Sequence, residues 1–143
     1  MKKMKNIFGF VVIMFVGLLA TGCRDLPTNG KLDNQWQILT IEYPDGHTDN
    51  PEGTLYYCFY RDIVQLTRGG VVATANLSQE GSTLTMQFPY STASQLTPWG
   101  LTVADGEPTN VKGPVYTVKI DHLSDRTLRM TTSLGVHITC RRY

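Results

Sequence analysis

The side chains that could carry acid–base or metal chemistry are few and far apart in this sequence. Its three histidines are His47, His122 and His137, and none belongs to an H-x-x-x-H, nucleophile-elbow or Cys-His-Asn pattern. Asp121 directly precedes His122, so on a strand their side chains point to opposite faces and form no catalytic dyad. A metal site would need His122 and His137 on paired strands, and we interpret both as surface or edge histidines instead. The sequence therefore predicts no enzyme, no cofactor and no metal centre.

An export signal is predicted in residues 1–22. Three lysines form a basic head, and residues 7–20 form an apolar run without charge. A run of about 14 residues is shorter than the roughly 20 that span a bilayer, so it is typical of the core of a signal peptide. We expect this segment to be removed on export, which leaves 121 residues with a formal charge of −2.

Cys23 lies where this signal would be cut. The sequence L-A-T-G-C, ending at Cys23, resembles the lipobox of bacterial lipoproteins, in which small residues precede a cysteine. The resemblance implies that the thiol is diacylglycerated, that cleavage occurs before it, and that the new amino group is acylated. Two or more chains such as palmitate anchor a protein durably to a lipid bilayer. In such lipoproteins an Asp at the position of Arg24 marks retention in the inner membrane, so the resemblance implies the outer membrane of the cell envelope, on either face. Residues 23–31 form a short tether.

The other two thiols, Cys58 and Cys140, leave two interpretations open. Export would place them in an oxidising compartment, where they could form one disulfide. They could equally be small hydrophobic residues of the core. In a closed barrel they would lie on strands separated by the first strand, so a bond would need both side chains to point inward at one level.

Composition predicts one folded domain and excludes several classes of protein. Of the 143 residues, 41% are hydrophobic and 17% are charged, with a formal net charge of +1. These values exclude a disordered chain. They also exclude nucleic-acid binding, because such binding depends mainly on neutralising phosphates and the chain has no basic stripe. We expect a monomer.

Segments rich in β-branched and aromatic residues, bounded by turn formers, fill the chain after the tether. The predicted strands are Trp36–Tyr43, Thr54–Arg68, Val71–Gln79, Ser82–Tyr90, Val115–Asp121, Thr127–Thr132 and Gly135–Arg142. Short links favour antiparallel neighbours, so we expect an all-β, up-and-down meander of about seven or eight strands. The 15 residues from 54 to 68 need either a bulge near Arg61 or a tight corner between two strands. Closing the meander into a barrel removes its exposed edges, and a flat sandwich is the alternative.

The two ends of this strand region resemble the calycins, or lipocalins. L-D-N-Q-W, ending at Trp36, opens the first strand, and T-C-R-R-Y, ending at Tyr143, closes the last. With Y-Y-C-F and W-G-L between them, residues 32–143 are similar to small lipocalin-like outer-membrane lipoproteins of Gram-negative bacteria. The resemblance implies a lipocalin-like β-barrel domain in which a 3₁₀ turn leads into Trp36. It also implies that Arg141 or Arg142 covers the Trp36 ring at the closed end of the barrel.

Apolar and aromatic side chains are the candidates for binding a ligand. They are Tyr57, Phe59, Phe88, Tyr90, Leu96 and Trp99. They could equally fill the interior, since a barrel of eight strands either packs with side chains or holds one small ligand. The long segment 91–114 contains Leu96 and Trp99, which predicts a flap over one barrel end with a turn of helix at 94–97.

Two functions from different classes follow from these features. The first is a non-enzymatic binding module, anchored through acylated Cys23, that holds a small apolar ligand under the flap bearing Trp99. The alternative is a protein-interaction or envelope-assembly factor with a filled barrel and a partner protein in the envelope. A dry pocket beside Trp99 favours the first, and a filled interior with an exposed apolar loop patch favours the second.

Overall fold

A computed structural model describes residues 30–106 and 113–143 of the chain. Within this part, one 3₁₀ helix precedes six strands, and a second 3₁₀ helix precedes the last three. The strands are β1 (Gln35–Glu42), β2 (Thr48–Asp49), β3 (Tyr56–Tyr60), β4 (Ile63–Thr67), β5 (Val71–Glu80), β6 (Thr83–Gln87), β7 (Val115–Leu123), β8 (Thr127–Thr132) and β9 (His137–Arg142). The 3₁₀ helices are Gly30–Leu32 and Ala93–Trp99, and the second is called the lid helix below. The predicted signal peptide, residues 1–22, and the predicted lipidation site, Cys23, lie outside the described residues.

The sheet closes on itself through its first and last long strands. Each strand from β3 to β9 pairs with the next in antiparallel fashion, and β1 pairs with both β3 and β9. The β1–β9 ladder runs from Trp36 opposite Arg142 to Glu42 opposite His137. The two-residue strand β2 adds to the end of β1 that β3 does not cover. The predicted all-β meander, closed into a barrel of eight strands, is therefore confirmed, with β2 as an extra strand.

The long segment 54–68 is two strands with a tight corner between them. β3 and β4 form a hairpin in which Tyr57 lies opposite Leu66 and Phe59 opposite Val64. The corner falls at Arg61, whose φ of 54° is left-handed. The predicted strand 82–90 is shorter than expected, because the ladder of β6 ends at Gln87.

The barrel interior is one continuous apolar cluster. Alternate residues of the strands face inward, as in β8, where Leu128, Met130 and Thr132 are buried. The largest fully buried side chains include Trp36, Trp99, Tyr57, Tyr116 and Phe88. No helix within residues 30–106 and 113–143 is long and apolar enough to cross a bilayer.

The closed end of the barrel is plugged by the first 3₁₀ turn. Leu32 of this turn is completely buried, and its carbonyl oxygen accepts a hydrogen bond from the Trp36 indole N–H at 3.0 Å. Gly30 and Lys31, the last residues of the predicted tether, already belong to this turn. The opposite end, which the lid helix covers, is called the mouth.

Candidate functional site: the lid and mouth of the barrel

The lid helix begins and ends at residues suited to its boundaries. Before it, the Thr92 backbone N–H donates to Gln95 Oε1 at 3.0 Å, as in a capping box. After it, Gly100 adopts a left-handed φ of 83°, and its N–H donates to the Thr97 carbonyl at 3.0 Å. These caps direct Leu96 and Trp99 into the barrel, where both are buried. The predicted helical turn of the flap is therefore confirmed and lies over the mouth, whereas residues 107–112 of the predicted flap lie outside the described part of the chain.

Two hydrogen bonds to strand β3 and one ring contact with Arg68, directly after β4, hold the lid helix in place. The Tyr57 hydroxyl donates to the Trp99 carbonyl at 2.6 Å, and the Trp99 indole N–H donates to the Tyr56 carbonyl at 3.2 Å. Burial raises the pKa of Tyr57 well above its usual value, so this hydroxyl remains a donor at neutral pH. The Arg68 guanidinium lies over the Trp99 ring, 5.4 Å from its centroid. The lid is thus fixed to the wall and not only packed on the core.

A second tyrosine at the mouth, Tyr116, differs from Tyr57 in the hydrogen bonding of its hydroxyl. Tyr116 is 1% exposed, and its hydroxyl has no hydrogen-bond partner within the described residues. Burial, with a smaller contribution from the Asp105 charge, raises the pKa of Tyr116 to about 12. Phe88 packs edge-on against the phenol ring at 5.9 Å between centroids. This hydroxyl is therefore a neutral hydrogen-bonding group in an apolar environment.

Asp105 ties the segment after the lid helix to the β8–β9 turn. Its carboxyl group accepts hydrogen bonds from the Thr102 hydroxyl at 2.6 Å, the Ser133 hydroxyl at 3.2 Å and the Leu134 N–H at 2.8 Å. Three donors around one buried side chain suit an ionised carboxylate, which only accepts. The mouth therefore has a negative charge next to the Tyr116 phenol.

The predicted ligand-binding residues divide into two groups. Five of them are buried with the core: Tyr57, Phe59, Phe88, Leu96 and Trp99. Tyr90 is instead 93% exposed, so it does not line the interior as expected. The reason is that β6 ends at Gln87, and strand alternation does not continue through Pro89 to the next residue. The candidate list missed Tyr116, which the alternation of apolar residues in β7 could have revealed, and Asp105, for which the sequence holds no signal.

Comparison with known proteins agrees with this architecture. The family model described as "Lipocalin-like domain" matches residues 17–143. The chain belongs to the lipocalin-like domain family. A lipocalin-like protein from Bacteroides uniformis is similar in structure, with a TM-score of 0.60 and 19% identity over 80% of this chain and 100% of its own. An uncharacterized protein from Bacteroides eggerthii gives 0.59 and 16%, over 77% of this chain and 98% of its own. Among curated proteins, none matches the chain.

The closed end of this lipocalin-like domain differs from the predicted arrangement of Trp36 beneath an arginine. Within the described residues, the guanidinium groups found over aromatic rings are those of Arg61 and Arg68, on Tyr60 and Trp99. The Arg141 Nε donates instead to Gln37 Oε1 at 2.6 Å on the outer face of the barrel. Arg142 lies opposite Trp36 in the ladder but is exposed. The predicted cation–π contact at Trp36 is therefore wrong, although both arginines lie at the predicted end.

Gln37 forms the centre of a small network across the closure. Its amide nitrogen donates to the Gly53 carbonyl and the Tyr56 hydroxyl, both at 3.2 Å. Because its oxygen accepts from Arg141, this one amide joins strands β1, β3 and β9. The Tyr56 ring also meets the Tyr143 ring edge-on at 5.3 Å. The closure thus has polar contacts outside and apolar packing inside.

In the part of the chain that the structure describes, Cys58 and Cys140 are free thiols. Cys140 points into the barrel and is buried, whereas Cys58 lies between the inward residues Tyr57 and Phe59 and faces outward. The two thiols are therefore on opposite faces of the wall, with β1 between their strands. Of the two open interpretations, the disulfide is wrong for this geometry. Burial raises the pKa of the Cys140 thiol, which keeps it protonated.

The histidines do not gather into a site. His122 pairs with Arg129 and His137 with Thr131, so strand β8 separates the two imidazoles. His137 Nδ1 lies 2.8 Å from the Thr131 hydroxyl, and His47 Nδ1 lies 2.5 Å from Asp45 Oδ1 in an exposed turn. Within residues 30–106 and 113–143, no group of three or more His, Cys, Asp or Glu side chains could hold a metal ion.

Proposed function

We propose that this lipocalin-like protein is a lipid-anchored binding module of the cell envelope that holds a small apolar ligand beneath the lid helix. The observation that carries this proposal is the Tyr116 hydroxyl, which is buried at the mouth of an apolar barrel without a partner in the described part of the chain. A buried polar group without a hydrogen bond costs about 1–3 kcal/mol, which a ligand with a suitable polar atom would recover.

The charge beside this hydroxyl selects the chemistry of the ligand. Asp105 lies near enough to contribute to the raised pKa of Tyr116, and its carboxyl group is already surrounded by donors. A second negative charge at this position would be repelled in a medium of low dielectric constant. We therefore propose a neutral ligand, an apolar chain or ring with one hydroxyl or carbonyl group, in preference to a fatty-acid carboxylate.

Access to the interior requires movement of the lid helix. Leu96 and Trp99 are buried among the wall residues, and the lid is held by the bonds between Trp99 and strand β3. Each such bond contributes about 0.5–1.5 kcal/mol, and uncovering the Leu96 and Trp99 side chains would cost about 1.5–3 kcal/mol more for each. Because core side chains fill the interior, the ligand would take the place of these two side chains and cover the apolar surface that they leave. Trp99 would therefore report binding through its fluorescence.

The anchor in this proposal rests on the sequence around Cys23. The lipobox-like sequence and the preceding apolar run predict acylation and attachment to the outer membrane. A lipocalin-like fold is typically non-enzymatic, which accords with the scattered titratable groups. Anchoring would keep the barrel at the membrane, where apolar molecules concentrate.

A second function is favoured by exposed apolar residues on loops of the mouth. Val103 and Leu134, joined through the hydrogen bonds of Asp105, are each more than half exposed. Val71 and Val72 are also exposed at the start of β5. Apolar loop residues of this kind suit a protein partner in the envelope. In that case the barrel would serve as a scaffold without a ligand.

The two functions can be separated with the processed protein purified gently from membranes. Native mass spectrometry should show the acyl mass on Cys23 and a retained apolar ligand. Titration with hexadecanol should quench Trp99 in a Trp36→Phe background more strongly than hexadecanoate does. Tyr116→Phe should weaken hexadecanol binding by about fivefold to tenfold, the loss of one hydrogen bond. Absence of both a retained mass and quenching would contradict the ligand and favour the partner.

A further inference from the structure

The closed end of the barrel has an open cleft lined largely by arginines. Its volume is about 620 Å³. The lining residues are Asp125, Arg126, Thr127, Arg141, Arg142 and Tyr143, and we call them the arginine cleft. The β7–β8 turn and the end of β9 bring them together, because the Arg142 N–H donates to the Arg126 carbonyl at 2.9 Å. Two guanidinium-bearing residues are thereby held side by side by backbone contacts.

The charges of the arginine cleft are not balanced within it. Asp125 forms an ion pair with Lys31 at 3.3 Å, and Arg141 is occupied by Gln37. Within the described part of the chain, Arg126 and Arg142 have no ion-pair partner. Guanidinium groups bind phosphate oxygens through paired N–H donors, so two arginines that line one cleft from hydrogen-bonded backbone positions suit a phosphate group.

The position of the cleft relates it to the membrane. The Lys31–Asp125 ion pair joins it to the first 3₁₀ turn, Gly30–Leu32, at the start of the described residues. Six residues, 24–29, lie between Cys23 and Gly30, and the seven Cα–Cα steps span at most about 25 Å when fully extended. With acyl chains on Cys23, the closed end would therefore stay near the lipid surface, within reach of headgroups.

We propose that the arginine cleft binds the phosphate of an anionic membrane lipid headgroup. This inference rests on the lipid anchor of the proposed function. Headgroup binding orients the barrel with its closed end on the bilayer and its lid helix toward the aqueous side, where a ligand or partner has access. Each arginine near an anionic surface strengthens binding about fivefold, and salt weakens the effect.

The test uses the full-length, processed protein, with acylation verified by mass, reconstituted into vesicles. One set contains phosphatidylcholine alone, and the other contains about 30% phosphatidylglycerol, which supplies the anionic surface. Hydrogen–deuterium exchange of residues 124–127 and 141–143 should slow about fivefold on the anionic vesicles. The double variant Arg126→Gln, Arg142→Gln should lose this protection. Arg129→Gln, an exposed arginine of β8 outside the cleft lining, should keep it, and the lid helix should be unaffected.

Several outcomes would overturn the proposal. Equal hydrogen–deuterium exchange on both kinds of vesicle would contradict headgroup binding in the cleft. Loss of protection in Arg129→Gln equal to that in the double variant would contradict it too. Protection by inorganic phosphate on phosphatidylcholine vesicles, equal to that by phosphatidylglycerol, would make the cleft a site for free phosphate. A protein mass without acyl chains would instead contradict the anchor. Sedimentation of that unacylated protein and its variants with anionic vesicles would then test headgroup binding by the cleft independently of the anchor.

Discussion

At the scale of single residues, two buried tyrosines at the mouth differ in what their hydroxyls contact. Tyr57 donates to the Trp99 carbonyl, whereas Tyr116 has no partner within the described residues. Tyr57→Phe should therefore lower the free energy of unfolding by about 1–3 kcal/mol, since it leaves a buried carbonyl unpaired. Tyr116→Phe should leave it unchanged or raise it by up to about 1 kcal/mol. Urea unfolding measures both changes in free energy, provided that the variants and the unaltered protein have equal m-values. Equal destabilisation by the two substitutions would contradict a Tyr116 hydroxyl without a hydrogen bond.

The same hydroxyl predicts a loss of stability at alkaline pH. Phenols of the unfolded chain lose their protons near pH 10, but the raised pKa of Tyr116 keeps its proton until about pH 12. Stability is intact below pH 10 and falls between these values, because the unfolded state has then released a proton that the folded state retains. The slope is about 1.4 kcal/mol per pH unit for each such phenol. Urea unfolding at pH 9, 10 and 11 should show a shallower decline in Tyr116→Phe, and Tyr90→Phe, at an exposed site, is the control.

A third residue-scale prediction concerns the tautomer of His137. The Thr131 hydroxyl contacts both the Asp121 carboxyl and His137 Nδ1. Because a carboxylate only accepts, the hydroxyl proton goes to Asp121 and His137 must donate from Nδ1. Imidazole ¹⁵N shifts of the neutral ring should show the proton on Nδ1, and Thr131→Val should release this preference. A proton on Nε2 in the unaltered protein would contradict the assigned hydrogen bonds.

At the scale of elements, the end of the lid helix depends on a glycine for two reasons. Gly100 has a φ of 83°, and a Cβ there would lie 3.0 Å from Ile138 and 3.1 Å from Ile41. Gly46 has a φ of 94° but no atom within 4 Å of the same position. Gly46→Ala should cost only the left-handed strain, about 1–2 kcal/mol, and Gly100→Ala should cost more because the lid must also shift. Urea unfolding of the two variants measures the difference in their loss of stability. Equal losses would contradict the close contact of Gly100 with Ile138 and Ile41.

The elements also show what the sequence could and could not predict. Turn formers and short links were sufficient for the strands and their antiparallel order, because hairpins leave few pairings for a meander. Closure was expected from the removal of exposed edges and from the lipocalin resemblance, since the strand pattern alone also allowed a sandwich. The two-residue strand β2 is too short to leave a pattern. Tyr90 was expected in the interior and is exposed, because strand alternation stops at Pro89. Tyr116 was not among the candidates and is buried, although the alternation of apolar residues in β7 could have revealed it. Asp105 contacts Ser133 and Leu134, which lie 28 and 29 positions further along the chain, and no local rule predicts such contacts.

At the scale of the whole molecule, β9 is paired on both sides and cannot be released by fraying. It lies between β8 and β1, and its inward residues Ile138 and Cys140 are completely buried. On β1, the Gln37 amide holds β3 and β9 from outside. Opening of this closure therefore exposes the core and should coincide with global unfolding.

The thiols provide a measure of that opening. Burial raises the pKa of both thiols. Cys58 faces outward and is only half-buried, so iodoacetamide should alkylate it in the folded protein, whereas Cys140 is completely buried. Cys140 should react only through unfolded molecules, about 10⁻³ or less of the population. Peptide mass spectrometry after labelling at a series of urea concentrations should show the logarithm of the Cys140 labelling rate rising linearly with urea, with the slope set by the m-value of global unfolding. The labelling rate of Cys58 should change little. Equal rates in water would mean that β1 and β9 separate locally, which would contradict a barrel whose stability depends on that pairing.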